Sequence, residues 1–171
     1  MLIRIAGITR DSIVDGPGLR LAVFVQGCPH DCPGCHNPET HDFAGGRLMD
    51  TDEIVAMMDG NPLLSGITLT GGEPFCQPEV CAKLAGAAVK RGLSVWTYTG
   101  YSFEQIMTQF DSSRRRLLCF SDVLVDGKYV HELRTLDAPW RGSRNQRLVD
   151  VGLSIDEGRT IELDVEENKN G

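Results

Sequence analysis

Short apolar runs alternate along the chain with stretches in which apolar residues recur every three or four positions. The runs are rich in β-branched residues and predict buried strands at 20–26, 66–70, 93–98 and 122–125. The helical spacing predicts helices at 51–58 and 78–90, and a further helical stripe is formed by Phe103, Ile106, Met107 and Phe110. Strand and helix therefore alternate, as in a parallel α/β fold.

The loops that carry glycine and polar residues all follow the carboxyl end of a predicted strand. They span residues 28–35, 71–73, 97–100 and 126–128. In parallel α/β sheets and barrels this edge holds the active site, so we expect these loops to form one site. A complete β/α barrel needs about 250 residues. A chain of 171 residues allows an incomplete barrel of about five or six parallel βα units.

An open flavodoxin-like sheet is the alternative architecture. Either architecture would make the chain a single domain over residues 1–171, because this length matches one domain and no linker-like segment interrupts it. No internal repeat is present in the sequence.

Charge and hydropathy narrow the class of protein. Seventeen Lys and Arg residues face twenty-four Asp and Glu, and the resulting net charge of −7 argues against nonspecific nucleic-acid binding. The apolar run at 21–25 is far shorter than the roughly 20 residues that span a bilayer. The first residues also lack the basic and then apolar pattern of a secretory signal. We therefore expect a cytoplasmic protein with neither a nucleic-acid nor a membrane partner.

Three of the six cysteines cluster in one loop with the spacing C-x3-C-x2-C. In a reducing compartment such clusters indicate metal ligands rather than disulfides. Three thiolates can hold three corners of a [4Fe–4S] cluster and leave the fourth iron without a protein ligand. Spacing alone also permits inert thiols, or a zinc site in which His30 or His36 is the fourth ligand. The clustered residues are Cys28, Cys32 and Cys35; the dispersed ones are Cys76, Cys81 and Cys119.

The glycine-rich turn after the second predicted strand adds a motif to the cysteine loop. The cysteine triplet followed by Gly71-Gly72-Glu73-Pro74 resembles the radical S-adenosylmethionine (SAM) enzymes. The segment DGPGLR at 15–20 and the loop GCPHDCPGCHNPET further resemble the glycyl-radical activating enzymes.

Four features favour the activases of anaerobic (class III) ribonucleotide reductase over the pyruvate formate-lyase activases. These are the short chain, Gly34 before the third cysteine, VDGKY at 125–129, and RGSRNQRLVDV at 141–151. The resemblance runs over residues 15–151 and leaves the tail, 152–171, uncovered.

The resemblance implies the residues that hold two cofactors. Cys28, Cys32 and Cys35 would ligate a [4Fe–4S] cluster, and the amino and carboxylate groups of SAM would chelate its open iron. Most radical SAM loops carry an aromatic residue where Gly34 stands, so backbone contacts are expected to replace stacking on the adenine. Contacts to SAM are implied for residues at three strand ends: Gly71, Gly72, Glu73, Thr97, Thr99, Asp126 and Lys128.

The resemblance also implies an activity. A donor such as reduced flavodoxin would deliver one electron to the cluster, and SAM would be cleaved to a 5′-deoxyadenosyl radical. That radical would take hydrogen from a glycine in the large subunit of anaerobic ribonucleotide reductase. The cofactors carry this chemistry, so no side chain is expected to act as a catalytic acid or base. The alternatives are a pyruvate formate-lyase-type activase, a radical SAM enzyme with a small-molecule substrate, and a non-catalytic zinc or iron–sulfur module.

Overall fold

The computed structural model describes residues 1–109 and 111–165, which form a mixed α/β fold on one seven-stranded sheet. The strand order across the sheet is β3-β1-β2-β4-β5-β6-β7. The strands are β1 (Leu2–Ser12), β2 (Arg20–Val25), β3 (Arg47–Asp50), β4 (Gly66–Gly71), β5 (Ser94–Tyr98), β6 (Val123–Asp126) and β7 (Arg147–Asp150). The helices are α1 (Thr51–Asp59), α2 (Pro78–Val89), α3 (Phe103–Gln109), α4 (Ser112–Phe120) and α5 (Val151–Glu157).

Four neighbouring strands, β2, β4, β5 and β6, pair in parallel. They are the four strands that the sequence predicts, with bounds that agree to within one residue. Their order in the sheet follows their order in the chain, so every crossover steps in the same direction. A flavodoxin-like sheet reverses direction at a switch point. The order of these four strands does not contain that reversal.

The other three strands are antiparallel, which corrects the expectation of five or six parallel βα units. β1 pairs with β2, β3 pairs with β1, and β7 pairs with β6. Residues 13–19 link β1 to β2, and a link this short permits an antiparallel pair but not a parallel crossover, which needs a dozen or more residues. The parallel part of the sheet therefore has four strands, and an antiparallel strand flanks it on each side.

The helices form a layer on one face of the sheet. α2 packs against β4 and β5 and lies between α1 and α4. Alternate strand residues face this layer, so Val23 and Val25 of β2 join Ile67 and Leu69 of β4 in the buried core. Helices α1 and α2 confirm the helices predicted at 51–58 and 78–90. A capping box that includes Asp50 fixes the start of α1.

The opposite face of the parallel strands carries a fully buried cation. Arg20, at the start of β2, donates to the hydroxyl of Thr68 at 2.8 Å, to the hydroxyl of Ser94 at 2.9 Å and to the carbonyl of Ile67 at 2.6 Å. Burial lowers the pKa of Arg20 to about 10, so it remains charged at neutral pH. Because these partners lie near the amino ends of β4 and β5, Arg20 stabilises the sheet at the edge opposite the predicted site.

The tail that the resemblance leaves uncovered packs back onto the sheet. Glu162 forms a β-bridge with Val149 of β7, and Leu163 and Val165 pack on the apolar cluster that contains Trp96. Residues 166–171 lie outside the described residues. So does Phe110, the last member of the stripe that predicts α3. Across the part of the chain that is described, no helix combines the length and apolar character that crossing a membrane requires.

Candidate functional site

The four predicted loops meet at the carboxyl edge of the parallel strands, around a cavity of about 210 Å³. The cavity lies on the face of the sheet opposite the helices, because its floor includes Phe24, Thr70 and Tyr98. Four loops form its walls. The loop after β2 contributes Cys28, Cys32 and Cys35, and the loop after β4 contributes Gly71 and Gly72. The loop after β5 contributes Thr99 and Gly100, and the loop after β6 contributes Gly127.

Each of the three clustered thiols receives a main-chain hydrogen bond. The donors are the amide of His30 to Cys28, that of Tyr129 to Cys32, and that of Asn37 to Cys35, the last with an N···S distance of 3.4 Å. Burial raises the pKa of Cys28 to about 11 and also raises the pKa of Cys32, so both sulfurs are protonated when no metal is bound. Metal binding would displace these protons, and N–H donors of this kind stabilise iron-bound thiolates.

The donor set fits a multi-iron cluster better than a single zinc ion. Within residues 1–109 and 111–165, no three Cys, His, Asp or Glu side chains are gathered closely enough to ligate one metal ion. The three free thiols instead surround a cavity. Structural zinc also needs a fourth protein ligand. Of the two candidates, His30 is bound to Glu73 and His36 is exposed against the ring of Tyr129.

The Gly71-Gly72-Glu73 turn is held against the loop that leaves β2. The amide of Gly72 donates to the carbonyl of Val25 and that of Glu73 to the carbonyl of Gly27, both at 2.8 Å. A Cβ at Gly72 would lie 2.5 Å from the Gly27 oxygen, and Gly71 has a left-handed φ of +91°. Glycine is therefore required here by the approach of a neighbouring backbone as well as by the cavity that both glycines line.

The Glu73 side chain is fully buried and does not line the cavity. Its Oε1 accepts from the amide of Phe75 at 3.0 Å, and its Oε2 accepts from the amide of Gly100 at 2.9 Å. The hydroxyl of Thr99 lies 3.0 Å from both oxygens, and the His30 Nε2 lies 2.7 Å from Oε2. Glu73 thus connects the loops after β2, β4 and β5.

The hydroxyls of the two threonines predicted at the end of β5 lie in different surroundings. Thr99 follows the strand, lines the cavity and donates to Glu73. The Thr97 hydroxyl instead lies 2.8 Å from that of Ser121, at the end of α4, and is completely buried there. Alternation within β5 places Thr97 on the face opposite Tyr98 of the cavity floor, whereas Thr99 lies beyond the end of the strand, where this alternation stops. The structure therefore does not bring the Thr97 hydroxyl to the site.

Asp126 is likewise engaged elsewhere. It is buried, and its two oxygens accept from Nε and Nη2 of Arg147 at 2.9 and 2.5 Å. It also accepts from the amide of Phe103, at the start of α3. Lys128 follows the cavity-lining Gly127 and is exposed. Its charge lies close enough to Cys32 to oppose the effect of burial on the pKa of that thiol.

Aromatic side chains at the cavity come from positions that the sequence analysis did not select. Tyr98 and Tyr129 both line it. Gly34, which stands where an aromatic residue is common, has a left-handed φ of +71°, and a Cβ there would lie 2.6 Å from the ring of His131. Alternation along β5 could have indicated Tyr98, because it shares a face with Trp96. The motif VDGKY contains Tyr129 but does not show where its ring points.

The dispersed cysteines do not line the cavity, although Cys76 lies close enough to Glu73 and Cys28 for their charges to contribute to the raised pKa of its thiol. Cys81 is fully buried in α2, Cys119 is exposed on α4, and Cys76 is half-buried in the short turn before α2. Burial raises the pKa of Cys76 to about 11, so it is a protonated thiol at neutral pH.

Comparisons with known proteins support an iron–sulfur domain in this chain. The family model of the 4Fe-4S single cluster domain matches residues 14–149. The anaerobic ribonucleoside-triphosphate reductase-activating protein of Enterobacteria phage T4 is 38% identical over 141 residues, which are 79% of this chain and 86% of that protein. The proteins of the same name from Salmonella typhimurium and Escherichia coli K12 are each 35% identical, over 78% of this chain and 90% of their own length. The chain belongs to the family of anaerobic ribonucleoside-triphosphate reductase-activating proteins and contains its 4Fe–4S single cluster domain.

Proposed function

We propose that this chain activates an anaerobic ribonucleoside-triphosphate reductase by generating a radical on a glycine of the large subunit. The observation that carries the proposal is the position of the three free thiols, which share one cavity with the Gly71-Gly72 turn at the carboxyl edge of the sheet. The names of the relatives supply the partner. The strand order β2-β4-β5-β6 supports an incomplete β/α barrel of the radical SAM type, because each parallel strand is added on the same side of the last.

Cys28, Cys32 and Cys35 would hold a [4Fe–4S] cluster with one iron open to SAM. Reduced cluster and SAM together would supply the radical that abstracts hydrogen from the glycine. The chain itself holds the thiolates in a fixed array, because an amide N–H donates to each sulfur. We assign the one-electron donor to a protein such as reduced flavodoxin.

The SAM end of the site would be formed by backbone more than by side chains. Gly71 and Gly72 line the cavity, and their backbone carbonyl oxygens would accept from the ammonium group of SAM. Thr99 and Gly100 form the adjoining wall. The exposed ammonium of Lys128, beside Cys32, suits a carboxylate of SAM. Thr97 and Asp126 would act on the stability of the fold alone, because their side chains are bonded to Ser121 and Arg147.

A protein substrate suits a site that this chain leaves open at the strand ends. The cavity of about 210 Å³ is not closed over by the chain, and its rim includes the exposed His36. A glycine-bearing loop of the partner would complete the walls and exclude water.

Anaerobic reconstitution tests the proposal. The iron-loaded chain is mixed with the reductase large subunit, SAM and reduced flavodoxin, and the large subunit is examined by electron paramagnetic resonance. We expect a glycyl-radical doublet, and substitution of the target glycine by alanine should remove it while the two proteins still associate. Cleavage of SAM without a radical in the large subunit, under several reductants, would instead indicate a small-molecule substrate. If the chain bound one zinc ion tightly and no iron, both radical SAM mechanisms, with a protein or with a small-molecule substrate, would be excluded.

A further inference from the structure

We infer that Glu73 and His30 form a positioning pair that sets the cysteine loop relative to the SAM pocket, and that the Glu73 carboxylate does not itself bind SAM. The inference rests on the proposed function, since it concerns the same site. It assigns His30 a role that no motif gives it, and it changes the role expected for Glu73.

The Glu73 carboxylate is fully occupied by donors from the protein. An ionised carboxylate has about four acceptor positions. The amides of Phe75 and Gly100, the hydroxyl of Thr99 and the imidazole of His30 all lie within 3.0 Å of its oxygens. The side chain is 0% exposed. Four donors thus occupy the carboxylate inside the protein, and an ammonium group in the cavity would have to displace one of them.

The His30 imidazole is also enclosed, since it is only 7% exposed. Since an ionised Glu73 can only accept, Nε2 of His30 carries the proton that it donates at 2.7 Å. The ring also packs edge-on against Tyr101, with centroids 4.5 Å apart. A Cβ at Gly100 would lie 2.4 Å from it. The imidazole is therefore enclosed between the loops after β4 and β5.

His30 also connects this pair to Cys28, the first of the proposed cluster ligands. The main-chain amide of His30 donates to the sulfur of Cys28, while its side chain donates to Glu73. One residue thus fixes the first cysteine and the glycine turn in a single arrangement. Because a reactive geometry fails when its parts shift by about 1 Å, a link of this kind controls how SAM meets the open iron.

The experiment measures two quantities on the reconstituted full chain that do not require turnover. One is the thermal unfolding midpoint without SAM, and the other is the equilibrium affinity for SAM by anaerobic calorimetry. In Glu73→Gln, one of the amides of Phe75 and Gly100 must face an NH2 group. We expect its midpoint to fall by about 5 °C before any SAM is added. We also expect its SAM affinity to fall more than tenfold.

His30 separates positioning from general stability. His30→Ala should keep its iron, because all three cysteines remain, and should lose about tenfold in SAM affinity. His30→Gln can donate to Glu73 again and should restore most of that affinity. The double variant should be no weaker than Glu73→Gln alone, because the two residues act through one hydrogen bond.

Matched controls lie close in the chain. Glu79→Gln removes an exposed carboxylate of α2 and should leave both quantities unchanged. Thr99→Val removes one donor to Glu73 and should lower SAM affinity, whereas Thr97→Val removes a hydroxyl bonded on the opposite face and should not.

Two outcomes overturn the inference. In one, Glu73→Gln weakens SAM binding but leaves the SAM-free midpoint unchanged, as a direct ligand would. In the other, His30→Ala matches the unmodified chain in SAM affinity. Both differ from a failure of the proposed function, in which the unmodified chain itself binds no SAM or yields no glycyl radical.

Discussion

At the end of β5 the last polar side chain, Thr99, donates to Glu73 beside the cavity, whereas at the end of β6 Asp126 is paired with Arg147 of the neighbouring strand. Thr99 follows β5 directly, Asp126 is the last residue of β6, and each precedes a glycine, so their local sequences suggest the same role. The difference comes from their neighbours. β5 lies between two parallel strands, while β6 is followed in the sheet by an antiparallel strand that brings a cation to its carboxyl end.

A polar residue at the carboxyl end of a parallel strand is therefore only a candidate for the site. Its place is decided by the face on which it lies and by the charge of the adjacent strand. Residues of the cavity side should affect cofactor binding, and residues of the opposite side should affect stability alone. This division can be tested at four places.

The cysteines should show the largest effect. Alanine at Cys28, Cys32 or Cys35 should abolish the cluster, because two thiolates do not hold a site-differentiated [4Fe–4S] cluster securely. Alanine at Cys76 or Cys119, which do not line the cavity, should leave iron and sulfide content close to that of the unmodified chain. Anaerobic reconstitution followed by iron and sulfide determination gives the comparison. Equal iron loss in Cys76→Ala and Cys28→Ala would show that the ligands are assigned incorrectly.

Gly72 should show the next largest effect. Its Cβ would lie 2.5 Å from the backbone oxygen of Gly27, so Gly72→Ala should destabilise the chain by about 2 kcal/mol and also weaken SAM binding. Gly7→Ala, in β1, is the control, because a Cβ there meets nothing within 4 Å. Urea unfolding and SAM titration measure both effects. If Gly72→Ala lost SAM binding while its stability was unchanged, the new methyl group would clash with SAM and would not clash with the backbone of Gly27.

The sequence predicts the parallel part of the fold better than its edges. β2 contains an apolar run, which is typical of strands buried on both faces, and β4 is rich in the β-branched residues Ile67, Thr68 and Thr70. β3 (RLMD) and β7 (RLVD) each combine two charged residues with at most one β-branched residue, so neither carries the strand signal that VLVD gives for β6. β1 does carry an alternating pattern, in which Ile3 and Ile5 are buried, but a single hairpin strand lies outside the βα repeat that guided the interpretation.

For the site, the sequence predicts which loops meet but not which atoms do. The C-x3-C-x2-C spacing and the Gly71-Gly72 turn are local, and both lie at the expected edge. The partners of the buried charges are distant in sequence. Glu73 is bound by His30, 43 residues earlier, and Asp126 by Arg147, 21 residues later. Such pairs depend on strand order, which no single motif in the sequence specifies.

The Asp126–Arg147 pair gives the third test of the division between the two sides. Asp126→Asn leaves a buried group facing a cation, so we expect a loss of about 2 kcal/mol in unfolding free energy with unchanged SAM affinity. The Asp59–Arg91 pair has a similar two-point geometry but is exposed, so Asp59→Asn should cost less. A drop in SAM affinity in Asp126→Asn at an intact cluster content would place Asp126 in the cofactor site after all.

The smallest effect is expected at the outer end of the same network, as a dependence of stability on pH. Arg147 also donates to Glu104 of α3, and this bond lowers the pKa of Glu104 from 4.5 to about 2. Because the folded pKa lies below the unfolded one, the contribution to stability is complete above pH 4.5. It is lost as the pH falls from 4.5 toward 2. The Glu104 side chain is 54% exposed, so solvent screening keeps the contribution below about 1 kcal/mol.

Urea unfolding of the cluster-free chain at pH 7 and at pH 3 measures this contribution, since iron–sulfur clusters do not survive acid. Other carboxylates also titrate in this range, so the informative quantity is the difference between the unmodified chain and Glu104→Gln at each pH. That difference should be present at pH 7 and smaller at pH 3, whereas Glu79→Gln should show no such change. A difference that grew on acidification would mean that Glu104 is protonated more readily in the folded chain, which is incompatible with its bond to Arg147.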